Sequence, residues 1–327
     1  MLPKRTSPLT SDQSAHFFDE GYLMLPDLFA PAELEPLRQE IAGIVEAAAQ
    51  HLAAEGKITD LHADESFETR LTRLLSDHPE LLGDFLRAIE GKSDGGHAGR
   101  EMFQIITHPR LLDIIEALVG PEIVGSSVYR IRPKVPFLDR GVVPWHQDSG
   151  YFAAHCDDSL IVTVWIPLVD ATPENGCLQV LPRAHRSGVA PHHTSDHTGY
   201  LAIVEEDLPR PVQETVTVPV PLGGALLLTN LAPHCSTPNT TDGIRWSVDL
   251  RYQGRDVPTN AYQQPEDFDP NAPKYEIACY PPEGDFVVRS LKHPETVPTY
   301  EQFAARRARY EAAPLPWPER GWTHLTG

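Results

Sequence analysis

A chain of 327 residues with 41% apolar content can bury a substantial core, as one large domain in preference to two. Its 32 prolines argue against an all-helical protein and suit strands joined by irregular loops. A formal charge of −19 argues against a nucleic-acid partner, which would need clustered Lys and Arg to neutralise phosphates. The opening residues carry no apolar segment of secretory type, and no run approaches the length of a membrane span. The four cysteines, Cys156, Cys177, Cys235 and Cys279, lack CxxC spacing and read as reduced thiols of a cytoplasmic enzyme.

Residues 1–11, rich in Pro, Ser and Thr, read as a tail. A short helix is expected from Ser11 or Asp12, then a brief strand over Leu23, Met24, Leu25 and Pro26. Leu34, Leu37, Ile41, Ile44, Val45, Ala48 and Leu52 repeat at helical spacing and predict an amphipathic helix ending near Gly56. Pro36 is harmless only among the first helical positions, so that helix is expected to start close to Glu33. Two further helices divide at Pro79, residues 91–99 form a Gly-rich loop, and a helix over Leu111 to Val119 stops at Gly120-Pro121.

From Ile123 the pattern changes to short β-rich runs: 124–131, 160–168, 177–181, 216–220, 225–228 and 246–252. Such runs indicate a sandwich or jelly roll, and no solenoid repeat is visible. Residues 183–213 form a long, polar, His-rich insertion of the kind that makes lids or binding loops. Residues 262–298 are Pro-rich and are expected to cover one face of the sheets, and Tyr300 to Ala312 reads as helix. The whole chain, 1–327, is taken as one domain: a helical part at about 12–120, a core at about 123–255 and a C-terminal cover at 256–327.

The chemistry concentrates in Pro144-Trp145-His146-Gln147-Asp148. On an extended strand His146 and Asp148 leave the same face and can grip one metal ion together. His234, after the apolar run 225–228, is expected at the end of a buried strand as the third ligand. Two imidazoles and one carboxylate with open opposite positions suit a non-haem Fe(II) oxygenase. Arg245, on a following strand, can return a guanidinium to the same pocket. A buried Arg needs an anionic partner, and a dicarboxylic cosubstrate chelating iron at one end supplies it at the other. Ser247, two residues on, can add a hydroxyl. Gln147 and Trp145 face away and read as packing, and Cys235 faces away from His234. Tyr129, Arg130 and Arg132 are open to substrate or cosubstrate contact or to surface or structural pairing. His155, His192, His193 and His197 read as solvated loop residues in preference to a second metal site.

Several stretches in order resemble the phytanoyl-CoA dioxygenase family of Fe(II)/2-oxoglutarate oxygenases. They are Phe18 to Tyr22, Trp145 to Asp148 with Tyr151-Phe152, Glu174 to Pro182 ending in Arg183-Ala184-His185, Gly223 to Leu226, and His234-Cys235-Ser236 with Asn239 and Arg245. One departure is Arg183-Ala184, where members often carry Gly-Ser. The resemblance implies a double-stranded β-helix (jelly roll, cupin-like), iron on His146, Asp148 and His234, and 2-oxoglutarate on Arg245; Ser236 and Ser247 are taken beside it as hydroxyl candidates for cosubstrate binding. It implies oxidation of a small-molecule C–H bond by O2 with release of succinate and CO2; an intact Asp148 favours hydroxylation, where related halogenases carry a small residue. Alternatives are a cupin-like isomerase or hydrolase using Mn or Zn, and a non-catalytic binding jelly roll.

Overall fold

Local capping explains where the first helices begin and end. The computed structural model describes residues 8–90, 97–126, 128–136, 138, 142–152, 154–195, 200–255, 286–312 and 322–325. Helix α1 (Ser11–Glu20) opens on a reciprocal cap: Gln13 N–H donates to Thr10 Oγ1 at 3.1 Å and Thr10 N–H to Gln13 Oε1 at 2.9 Å. Gly21, at φ 86°, closes it and turns the chain into β1 (Tyr22–Leu25). Helix α2 (Pro31–Ala54) starts earlier than expected from Pro36. Pro31 takes the first helical position, so Pro36 lies inside the helix and removes one internal hydrogen bond. Helices α3 (Arg70–Asp77) and α4 (Leu82–Glu90) part at Pro79 as expected. Helix α5 (Arg100–Ile106) is missing from the sequence reading. Its first-turn amides, Glu101 and Met102, donate to Glu40 of α2 at 3.1 and 3.3 Å, a cap drawn from another helix that no local pattern reveals. Helix α6 (Pro109–Val119) ends at Gly120.

The expected strand over 124–131 is two strands, β2 (Ile123–Gly125) and β3 (Arg130–Lys134). Strands β4 (Ile161–Pro167), β5 (Leu178–Val180), β7 (Val216–Val218), β8 (Ala225–Thr229) and β10 (Arg245–Gly254) match the expected runs. The sequence reading did not find β6 (His193–Ser195), β11 (Phe286–Arg289) or β12 (Thr323–Leu325). His234 does not end the strand before it; it opens a short strand of its own, β9 (His234–Ser236), in the opposite sheet. Helix α7 (Tyr300–Ala312) is as expected. The tail at 1–7, the loop at 91–96, His197, Cys279, residues 262–285 and the side chain of His155 lie outside the described residues.

The larger sheet runs β1-β8-β4-β10-β2-β11, with β3 also paired to β10, and the smaller runs β7-β5-β9. Facing antiparallel sheets of this kind form a cupin-like jelly roll. Its central strands are buried on both faces. Val162, Val164, Ile166, Leu227, Val248, Leu250 and Tyr252 pack outward against the helices. Trp165, Leu226 and Leu228 pack inward against Leu178, Val180 and Val218 of the smaller sheet. Each fully buried side chain of this size contributes about 1.5–3 kcal/mol. On β10 the inward set is different: Arg245, Ser247, Asp249, Arg251 and Gln253 are all buried, so a polar wall stands inside an apolar roll.

Candidate functional site

His146 and His234 are brought together by their backbones. His146 N–H donates to His234 O at 3.0 Å and His234 N–H to His146 O at 2.9 Å, an antiparallel bridge that sets the ring centroids 4.2 Å apart. Each Nδ1–H is committed to a backbone carbonyl, His146 to Pro144 at 2.9 Å and His234 to Ala232 at 2.9 Å. That fixes the tautomer and leaves both Nε2 lone pairs available. Burial, with His234 alongside, pushes His146 down to about 3, so its imidazole stays neutral and able to bind a metal.

Asp148 does not lie on an extended strand as expected; it starts a single 3-10 turn over Asp148–Tyr151. Its carboxylate still faces the imidazoles, with Oδ1 3.9 Å from His146 Nε2. The ligand atoms of His146, Asp148 and His234 all lie within 4.8 Å of one another, and among the described residues this is the one such cluster. Arg251 forks onto the carboxylate, donating Nη2 to Oδ1 at 3.0 Å and Nε to Oδ2 at 3.1 Å, and Thr163 donates its hydroxyl to Oδ2. Burial alone would raise this carboxyl; Arg251 overrides it and holds Asp148 far below the usual carboxylate range. With two donors on Oδ2 and one on Oδ1, Oδ1 keeps the lone pair that a metal would take. The donor set therefore fits a divalent iron: two imidazole nitrogens and one anionic oxygen on one face.

Arg245 is 3% exposed and, among the described residues, forms no ion pair. Its Nη1 donates to Ser247 Oγ at 2.5 Å, its Nε has no acceptor among the described residues, and its guanidinium lies over Trp165 at 5.1 Å. Burial lowers it to about 10. A guanidinium so placed is built for an incoming carboxylate. Opposite it across the sheet stands Lys134, which donates Nζ to Ser236 Oγ at 2.6 Å. Ser236 Oγ also accepts from Val143 N–H at 3.0 Å, so its own hydroxyl proton is turned outward from both donors. Burial, then the charge of Arg245, lowers Lys134 to about 7. Gly176 is necessary here: at φ 93° it leaves the space where a Cβ would meet Lys134 Cε at 2.4 Å and Thr237 O at 2.7 Å.

Lys134, Thr163, Trp165 and Arg251 were not found by sequence reasoning. Arg251 was within reach, because the two-residue alternation that joins Arg245 to Ser247 continues to Asp249 and Arg251. Gln147 faces away from the cluster as expected, yet it does more than pack. Its amide donates to Gly188 O at 2.9 Å and Leu231 O at 2.7 Å and accepts from Ala190 N–H at 2.8 Å, anchoring the root of the 183–213 loop. His192 is buried and not solvated: Nε2 accepts from Gln147 N–H at 3.0 Å and Nδ1 donates to Ala190 O at 2.8 Å. His193 pairs with Asp207 at 2.9 Å. Cys156, Cys177 and Cys235 are buried, and Cys235 stands apart from the metal-binding cluster. Arg183 adopts φ 62°, the left-handed backbone that a glycine would take more easily.

A jelly roll carrying this two-histidine, one-carboxylate face beside a buried guanidinium defines the class of non-haem iron, 2-oxoglutarate-dependent oxygenases. The model of the phytanoyl-CoA dioxygenase (PhyH) family matches residues 17–247, and the chain belongs to that family. It is 27% identical over 263 residues to phytanoyl-CoA dioxygenase domain-containing protein 1 of Danio rerio, covering 72% of this chain and 87% of that protein. It is 23% identical over 251 residues to the peroxisomal phytanoyl-CoA dioxygenase of Homo sapiens, covering 76% and 69%. Among solved structures it is similar in fold to the non-heme monooxygenase ThoJ in its apo form, with TM-score 0.57, 18% identity and coverage of 92% and 95%. EctD from S. alaskensis, solved with 2-oxoglutarate and 5-hydroxyectoine, gives TM-score 0.52, 21% identity and coverage of 79% and 80%. No described helix is long and apolar enough to cross a membrane.

Proposed function

We propose that the protein is an Fe(II)- and 2-oxoglutarate-dependent dioxygenase that hydroxylates an unactivated C–H bond of a small molecule. His146 Nε2, His234 Nε2 and Asp148 Oδ1 would hold the iron. With 2-oxoglutarate and O2, bound iron supplies an oxidant able to take hydrogen from such a bond, the keto acid leaving as succinate and CO2. Arg245 would take the far carboxylate of 2-oxoglutarate in its fork, with Lys134 as a second cation and Ser236 and Ser247 as hydroxyl partners. Trp165, beneath the guanidinium, keeps water from it. Thr163 and Arg251 hold Asp148 in place, and an intact carboxylate at that position supports hydroxylation over halogenation.

The observation that carries this reading is Arg245, a buried guanidinium without an ion-pair partner among the described residues, linked through Lys134 and Ser236 to the strand that begins with His234. An isomerase or hydrolase of the same fold has no need for it. The test is succinate formation by Fe(II)-reconstituted protein given 2-oxoglutarate, O2 and a small-molecule panel. Substrate-stimulated succinate that disappears in His146→Ala and in Asp148→Ala is expected. Equal succinate in wild type and both variants would reject the assignment.

A further inference from the structure

The inner face of the roll carries an excess of positive charge that the iron and the keto acid leave in place. Strand β3 presents Arg130, Arg132 and Lys134 opposite Asp249, Ser247 and Arg245 of β10, where Arg251 adds a further cation. Against these five stand two carboxylates, Asp148 and Asp249, among the described residues of β3, β4, β10 and the turn after His146. Both imidazoles would be taken up as ligands to iron and are left out of the count. A divalent ion and a dicarboxylate add equal and opposite charge, so loading the site does not alter the balance. Setting aside Arg130 and Lys134, which have interactions of their own, Arg132, Arg245 and Arg251 still outnumber Asp148 and Asp249 by one charge among these residues. The molecule as a whole carries −19, so the cavity opposes its surface in sign. Uncompensated charge in such surroundings is costly, and an anion entering from solution is the natural relief.

One of these cations is poised to meet it. Arg251 spends its fork on Asp148 and its remaining nitrogen on Asp249 at 3.0 Å and Val128 O at 3.1 Å, and Arg245 belongs to the keto acid. Arg132 uses only Nε, donating to Asp249 Oδ1 at 3.0 Å; among the described residues its two terminal nitrogens have no partner. Its side chain is 33% exposed, against 8% for Asp249 and 9% for Arg251. It also lies within the electrostatic reach of Tyr151, whose ring meets His146 edge-on at 6.0 Å. The ion pairs Arg132–Asp249–Arg251–Asp148 form one continuous chain, so the open fork is held rigidly relative to the carboxylate that would ligate iron.

We propose that the substrate is an acid, a carboxylate or phosphate ester, whose anionic group docks on the terminal nitrogens of Arg132. This rests on the oxygenase reading above and names the substrate class of that site. A planar fork with two free donors matches either oxyanion bidentately.

The test uses Ni(II)-loaded protein saturated with 2-oxoglutarate, titrated calorimetrically with benzoate, phenyl phosphate and the neutral benzamide. Either acid is expected to bind at least about tenfold tighter than benzamide, the stronger of the two identifying the oxyanion. Arg132→Gln is expected to abolish that preference while 2-oxoglutarate affinity changes less than about twofold, and Arg132→Lys to keep part of it. Equal binding of acid and amide by wild type, or an undiminished preference in Arg132→Gln, would overturn the proposal. Should Arg132→Gln fail to fold, Arg132→Lys and the wild-type comparison decide. Failure of wild type to take up 2-oxoglutarate at all would instead reject the oxygenase reading.

Discussion

Asp148 carries three donors before any metal arrives, and that has a measurable price in the metal-free protein. Arg251 and Asp148 are both almost fully buried, so Arg251→Met leaves a desolvated carboxylate with Thr163 alone. Removing one partner of a buried pair costs about 3–5 kcal/mol. Urea unfolding of metal-free Arg251→Met is expected to show that loss, and added Ni(II) to restore more stability than it adds to wild type, because the ion replaces the missing positive charge. Equal metal stabilisation of both proteins would contradict this role. Lys134 makes a second prediction. Its folded value of about 7 is depressed, so the folded protein binds fewer protons than the unfolded chain between about pH 7 and its ordinary value of 10.5. Stability contributed through this group therefore rises with pH across that window. An incoming dicarboxylate reverses the depression, so 2-oxoglutarate binding at pH 8 is expected to take up a proton, read by calorimetry in buffers of different ionisation heat. No proton uptake would place Lys134 outside the cosubstrate site.

Short elements and their connections hold these side chains in place. Gly176→Ala would put a methyl group 2.7 Å from the Thr237 carbonyl and against Lys134, on a backbone already at φ 93°. A stability loss of about 1–3 kcal/mol and weaker 2-oxoglutarate binding are expected, and an unchanged affinity would show that Lys134 does not need that space. Gln147→Ala leaves the Gly188 and Leu231 carbonyls and the Ala190 amide without their partner. Faster hydrogen exchange at Ala190, by about tenfold or more, is expected if this side chain anchors the loop; unchanged exchange would assign the anchoring elsewhere. The other end of the chain also reaches this region: Trp322 donates Nε1–H to Gly150 O at 2.8 Å, and β12 pairs in parallel with β6.

Across the whole molecule, legibility follows contact distance along the chain. His146 and Asp148 were readable because their spacing is local, and the central strands because apolar runs at β4, β8 and β10 are continuous. The inward position of Arg251 was readable from the alternation along β10, but its pairing with Asp148, 103 residues away, was not. Helix α5 was missed for a similar reason, since its cap comes from Glu40, 61 residues before Glu101. The break between β2 and β3 and the separate strand at His234 depend on which sheet each segment joins, which periodicity does not encode. Arg132 was visible as an ambiguous cation, and only its pairing with Asp249 shows how much of its fork stays open.

One titration reaches the centre of this picture: Ni(II) followed by 2-oxoglutarate, added calorimetrically to wild type, His234→Ala and Arg245→Ala. Wild type should take one metal ion and then one keto acid, the second only after the first. His234→Ala should lose most of its metal affinity, and Arg245→Ala should bind metal normally while 2-oxoglutarate weakens by about tenfold or more. Undiminished metal binding by His234→Ala, or undiminished 2-oxoglutarate binding by Arg245→Ala, would contradict the site described here.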